Sequence, residues 1–96
     1  MVTLNVGTKE IVSVLLEDRL NSIATLDPYV VQYRIRNEQE VDQVPWATVL
    51  DTTDMRVDIL IDTTVGTWAE GVYKLDIRPQ IAPEAPILGP ILFGLS

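Results

Sequence analysis

Four aspartates, Asp51, Asp54, Asp58 and Asp62, fall close together along the chain. Clustered carboxylates are the ligand type that hard divalent cations take. The run Asp51-Thr52-Thr53-Asp54 has no glycine at a sharp turn and no bidentate glutamate downstream, so it is not an EF-hand loop. Asp58 and Asp62 alternate with apolar residues, which reads as the solvated face of a strand. Paired carboxylates also cleave glycosidic bonds, but only where a cleft holds one carboxyl in apolar surroundings. A chain of 96 residues has little volume for such a cleft. The hydroxyls of Ser13, Ser22 and Ser96 would need an activating base. The chain has no His and no Cys, which removes the commonest general base, the commonest metal ligand and the thiolate nucleophile. Of the amines, Lys9 and Lys74 remain, and Lys74 lies on an alternating outer face. Neither GxGxxG nor GxxxxGK[ST] occurs, so no loop is built to cradle phosphate. These residues assign no catalytic side chain, no cofactor and no metal site, and enzymatic activity is not expected.

What remains is chemistry of contact. Trp46 and Trp68 both fall near loops or strand edges, and tryptophan is enriched where interfaces concentrate their energy. For Trp68 the favoured role is to cap an open end of the fold; for Trp46 capping and interface are evenly balanced. The segment Ile87 to Ser96 is unusually apolar. If only one face of a strand there met the core, Leu88, Leu92 and Gly94 would be expected to be polar. Either the segment is covered on both faces or it docks on a neighbour, and as a strand it could offer an edge for strand addition. Trp46, Leu88, Leu92, Phe93 and Leu95 are therefore the interface candidates.

The elements that carry these residues follow a period of two. Val2, Leu4 and Val6 alternate with polar neighbours, and Ile11 to Leu16 forms a second apolar run, buried on both faces or bulged. Tyr29, Val31, Tyr33 and Ile35 alternate with an outer face holding Arg34 and Arg36. Val44 to Leu50 is a weaker strand that Pro45 confines to an edge or a strand start. Asp51 to Asp54 turns the chain, and Met55, Val57, Ile59 and Ile61 form the next inward row. Thr63 to Gly71 is a long corner. Tyr73, Leu75 and Ile77 then face inward, Pro79 to Pro90 forms a hinge, and Ile91, Phe93 and Leu95 close the chain. Leu20, Ile23 and Leu26 are expected to tuck the connection at 18–27 onto the core, and Glu17 to Ile23, the best helical stretch, is too short. About seven short strands at this spacing predict an all-β sandwich over residues 1–96, a single domain.

Charge narrows the partners. The net charge is −7 and the cations are scattered singly, so nucleic acid and anionic lipid would be repelled. No apolar run approaches the ~20 residues of a membrane helix. Met1 to Val6 has neither the basic nor the apolar stretch of a signal peptide, so synthesis in a cytoplasm is expected.

One local constellation is more specific. In Trp68-Ala69-Glu70-Gly71-Val72-Tyr73-Lys74-Leu75 a glycine precedes a tyrosine by two residues, and an inward aliphatic follows it by two. Immunoglobulin-like domains have a tyrosine at this corner, its hydroxyl tying down the backbone. Trp68, Gly71 and Tyr73 would define the corner, with Leu75 and Tyr33 at the positions where antibody domains have a Cys and the core Trp. The fold expected is an immunoglobulin-like antiparallel β-sandwich held by apolar packing alone.

Taken with Thr3-Leu4-Asn5-Val6-Gly7-Thr8-Lys9-Glu10, Asp62-Thr63-Thr64 and Pro86-Ile87-Leu88-Gly89-Pro90, this corner resembles small virion proteins of tailed actinobacteriophages. The resemblance runs from end to end on short motifs. It implies an immunoglobulin-like minor tail, baseplate or capsid-decoration protein, made in the host cytoplasm and present in multiple copies or as a homo-oligomer. Its partners would be other virion proteins. It brings no catalytic residues. The competing reading is a carbohydrate- or receptor-binding sandwich using Trp46, Trp68 and Tyr29, which would require those aromatics on one surface.

Overall fold

The computed structural model describes residues 1–16, 30–80 and 87–96. The expectations for Leu20, Ile23, Leu26, Tyr29, the short helical stretch and most of the proline-rich hinge lie outside them. The described residues contain no helix, so none long and apolar enough to cross a membrane. They form eight strands: β1 (Val2–Leu4), β2 (Lys9–Leu15), β3 (Val31–Arg36), β4 (Asp42–Thr48), β5 (Asp51–Thr53), β6 (Arg56–Asp62), β7 (Gly71–Pro79) and β8 (Leu88–Leu95).

The strands build two sheets packed face to face. One has the order β1-β8-β7-β3-β4, the other β2-β6-β5. All described pairings are antiparallel except β1 with β8, which is parallel. The inward rows are those that alternation predicts. Val31 and Ile35 from β3, Val57, Ile59 and Ile61 from β6, Tyr73, Leu75 and Ile77 from β7, and Phe93 and Leu95 from β8 are all buried. Each aliphatic or aromatic side chain removed from water in this way stabilises the fold by roughly 1.5–3 kcal/mol.

Three elements depart from the sequence reading. Asp51 to Thr53 is not a turn but the short strand β5, paired with Arg56 to Asp58 of β6; the turn is the two-residue link Asp54-Met55, where Asp54 has φ 53°. This strand raises the number from about seven to eight. The run at Ile11 is neither buried on both faces nor bulged: β2 pairs with β6 without a break from Lys9 to Leu15, and Ile11 and Leu15 face solvent. The last strand begins earlier than expected, inside the proline-rich stretch. Its register against β7 slips between Leu75 and Ile77, opposite Gly89-Pro90, whose peptide bond is cis. The extra residue lets Leu88 and Ile91, three apart, both pack against the core.

One buried hydroxyl gathers several of the hydrogen bonds that hold the crossing from β1 to β2. Thr63 Oγ1 accepts from the backbone N–H groups of Gly7 (2.8 Å) and Thr8 (3.1 Å) and lies 3.1 Å from the Thr8 carbonyl. Thr63 is buried, so this anchor satisfies backbone groups of the crossing segment away from water.

Candidate functional site

The feature that distinguishes one face of the molecule begins with alternation on β3 and β7. If Tyr33, Ile35, Leu75 and Ile77 point inward, then Gln32, Arg34, Arg36, Lys74, Asp76 and Arg78 must point out from the five-stranded sheet. Antiparallel register sets Arg34 opposite Asp76, Arg36 opposite Lys74 and Arg78 opposite Gln32. Four of the seven cations of a chain with net charge −7 thus share one sheet face.

Asp76 is the centre of that face. Arg34 donates to its Oδ2 from Nε (3.1 Å) and Nη2 (2.9 Å), and Arg36 Nη2 lies 2.9 Å from the same oxygen. The carboxylate is only 1% exposed although it lies on the outer face. Its neighbours cover it: the two guanidinium groups on one side and the β8 bulge on the other. At Gly89 (φ 119°) an added Cβ would lie 2.8 Å from the Leu75 carbonyl oxygen and 3.3 Å from Asp76 Oδ1, so only glycine lets the bulge close over the carboxylate.

Trp46 extends the cluster to the sheet edge. β4 is that edge, and its register against β3 shifts around Ile35, next to Pro45. From there the indole lies under two guanidinium groups, with Arg34 Cζ 4.6 Å and Arg78 Cζ 4.1 Å from its centroid. The stack orients both arginines; Arg78 also donates to Gln32 Oε1 (2.7 Å). On the other flank Lys74 and Arg36 pair with Glu40, whose carboxyl is held below its ordinary pKa by the Lys74 hydrogen bond and charge and then by Arg36. Arg36 Nε and Arg78 Nε are shielded from solvent and find no acceptor among the described residues. The face therefore carries donors in excess of acceptors.

The interface candidates divide. Trp46 is half-buried on this face. Leu92 is exposed on the same face, opposite Lys74 in the β7–β8 register. Leu88, Phe93 and Leu95 are not available as contact residues, since they pack in or against the chain's own core. Nor does β8 offer a whole edge for strand addition: β7 pairs along one side and β1 covers Phe93 to Leu95 on the other.

At the corner, Tyr73 Oη donates to the Ala69 carbonyl (2.8 Å) and accepts from the Ala69 N–H (3.2 Å). Trp68 packs on Tyr73 with centroids 5.4 Å apart, and its Nε1–H donates to the Val65 carbonyl. Gly71 opens β7 with φ 148°. Tyr33 and Trp68 line a cleft of about 400 Å³ between β4 and β6, walled by Val44, Val49 and Leu60; burial there pushes the Tyr33 phenol above its ordinary pKa. Trp46 and Trp68 thus belong to different surfaces, and Tyr29 lies outside the described residues.

The remaining carboxylates have local partners. Asp58 accepts from Ser13 Oγ (2.6 Å), and Asp62 accepts from the Thr64 N–H (2.9 Å) and hydroxyl. The Thr64 hydroxyl, then its N–H, holds the Asp62 carboxyl below its ordinary pKa. Among the described residues no three His, Cys, Asp or Glu side chains converge as metal ligands. Among the described residues, fold and site define an all-β, two-sheet domain marked by an arginine–tryptophan–aspartate cluster on one sheet face. Comparison with protein-family models, with curated proteins and with solved structures finds no match.

Two of these features were hidden in the sequence. Asp76 reads as one more solvated residue of an alternating strand, and nothing local reveals that two arginines will bury it. The stacking of Trp46 depends on Arg78, which is two strands away. A detectable signal was the placement of Arg34 and Arg36 on one strand and Lys74 and Arg78 on another, each in the outward phase.

Proposed function

We propose that this chain is a non-enzymatic structural component of a tailed-bacteriophage virion, a minor tail, baseplate or capsid-surface protein that acts by packing against other virion proteins. The sandwich would be immunoglobulin-like. Supporting that are the strand order β8-β7-β3-β4 facing β2-β6-β5, which parallels G-F-C-C′ facing B-E-D, and the tyrosine that ties the corner before β7. The virion assignment rests on the resemblance of the motifs at Thr3–Glu10, Asp62–Thr64, Trp68–Leu75 and Pro86–Pro90.

The observation that carries the packing role is the outer face of the five-stranded sheet. Trp46 and Leu92 emerge on it among four cations, and its arginines are held in place by Asp76 and the indole. Tryptophan and arginine dominate the energetics of protein interfaces, and pre-ordered side chains lose less entropy on binding. The complementary partner surface would offer carboxylates and carbonyls. The sugar-binding alternative gains no support, since the two tryptophans do not share a platform and the Trp46 ring already carries guanidinium groups.

Two measurements test this. A mass-spectrometric inventory of virions from the phage that encodes the chain is expected to contain it; absence from purified particles would sink the reading. Trp46→Ala is expected to leave the β circular-dichroism spectrum intact, because Arg34 keeps Asp76 and Arg78 keeps Gln32. It should lower incorporation into particles at least about tenfold, the loss of one interface anchor. Unchanged incorporation removes Trp46 from the contact.

A further inference from the structure

We infer that β2 is a self-association edge, which adds antiparallel, centred on Ser13, to β2 of a second copy of this chain. Among the described residues each sheet ends in two edge strands, and three of the four are blunted. β1 and β5 are three residues long, and β4 contains Pro45 and a shifting register. β2 is different. It runs seven residues without proline, glycine or a register break. Proteins commonly shorten, charge or bulge an exposed edge to prevent pairing, and β2 carries charge only at Lys9 and Glu10.

The backbone of β2 is set for an outside partner. The Thr63 N–H donates to the Thr8 carbonyl (3.0 Å) and the Leu16 N–H donates to the Met55 carbonyl (2.9 Å). Antiparallel ladders alternate hydrogen-bonded and non-bonded pairs, so the even-numbered residues of β2 bond to β6. The N–H and C=O groups of Lys9, Ile11, Ser13 and Leu15 then point away from the sheet. The side chains beside them suit cover better than solvent: Ile11 is 60% and Leu15 58% exposed, and Ile11 sits opposite Leu60 on β6.

The edge complements itself. Pairing two copies about Ser13 sets Ile11 opposite the second copy's Leu15 and Val12 opposite its Val14, with the odd-numbered backbone groups that do not bond to β6 facing each other. The apolar row then runs from Leu60 through Ile11 to Leu15 of the other copy. Sliding the register to centre on Val12 would set Ile11 opposite Ser13 and Lys9 opposite Leu15, which breaks that row. The stretch Ile11 to Leu16 carries no charge. Among the described residues, the nearest like charges directly across the junction are the two Asp58 side chains, three strand spacings or about 14 Å apart. That exceeds the screening length of about 8 Å at physiological salt, so two chains of net charge −7 can meet here. The junction is one strand wide, which places the contact among transient interfaces. Self-association through β2 does not involve the Trp46 face, and its failure would leave the packing role of that face intact.

The test uses the intact chain over about 10 µM to about 1 mM, a range that brackets a transient Kd. Sedimentation is expected to show the mass rising from the 10.7 kDa monomer toward its double, with amide exchange slowing at Ile11, Ser13 and Leu15 as it does. Ile11→Lys is expected to stay monomeric at an unchanged melting temperature. Because the chain has no cysteine, Ser13→Cys supplies an independent readout. Residues paired across an antiparallel dyad have Cα atoms about 5.5 Å apart, within disulfide reach, so Ser13→Cys should cross-link under mild oxidation while Thr53→Cys on the β5 edge does not. A constant monomer mass at about 1 mM, equal cross-linking of the two variants, or a monomer whose Ile11, Ser13 and Leu15 amides are already protected by its own residues would each overturn the proposal.

Discussion

Asp76 is the residue on which the outer face depends. Its carboxylate is nearly inaccessible and shared by two arginines. Removing one partner of such a cluster costs more than the cluster contributes, because the remaining charges stay partly desolvated. Asp76→Ala is expected to lower the free energy of unfolding by about 3 kcal/mol, and Asp76→Asn, which keeps the shape and loses the charge, by a large part of that. Urea denaturation of the two variants checks this; a wild-type midpoint in Asp76→Asn would assign the arginines' order to Trp46 instead. Tyr73 acts at the same scale. Its hydroxyl closes two hydrogen bonds to Ala69, so Tyr73→Phe should cost roughly 1 kcal/mol, a fall in Tm of about 5 °C for a domain of this size.

At the scale of the element, β8 shows how one irregularity serves both faces of a sheet. The slip at Gly89-Pro90 turns Leu88 into the core and closes the strand over Asp76 on the outside. Gly89 has φ 119° and no room for a Cβ, whereas a Cβ at Gly94 would meet Thr3 Oγ1 at an ordinary 3.5 Å. Gly89→Ala is expected to destabilise by at least about 2 kcal/mol, a left-handed conformation and a backbone clash together, with Gly94→Ala much milder. Thermal melts of the pair check the contrast. Alternation also explains why the last strand misled the sequence reading. Leu88, Leu92 and Gly94 share a parity, but the bulge moves Leu88 to the other face and β1 covers Gly94, which leaves Leu92 alone exposed.

Across the described strands, charge is unevenly divided. The chain is acidic in sum, yet Arg34, Arg36, Lys74 and Arg78 share the five-stranded sheet with Asp42 and Asp76, while Glu10, Asp51, Asp58 and Asp62 outnumber Lys9 and Arg56 on the other. Net charge alone argued against nucleic acid and anionic lipid; the geometry nonetheless gathers four cations on one face. The two surfaces proposed for contact are also chemically unlike. The Trp46 face is polar and side-chain-ordered, and the β2 edge is apolar, with backbone groups that do not bond to β6. Such a pair would suit a multicopy assembly in which one surface joins copies and the other meets a different chain, each contact gaining from the other by avidity.

By itself the sequence determined most of the strands and, within them, the direction in which most side chains point. Both follow from a period-two pattern and turn residues that act within a few positions, as in the buried row from Val57 to Ile61 and the corner at Tyr73. It also put forward Trp46 and Leu92 as contact candidates, and both lie on the outer face of the five-stranded sheet. Only the tertiary structure decided that Asp76 is buried on an outer face, that Trp46 lies beneath Arg78, that Leu88, Phe93 and Leu95 belong to the core, and that among the described strands β2 rather than β8 is an edge along its whole length. Each of those depends on which strands become neighbours and in what register. Pairing energies summed over distant segments set that outcome, and a local pattern of apolar and polar residues does not encode it.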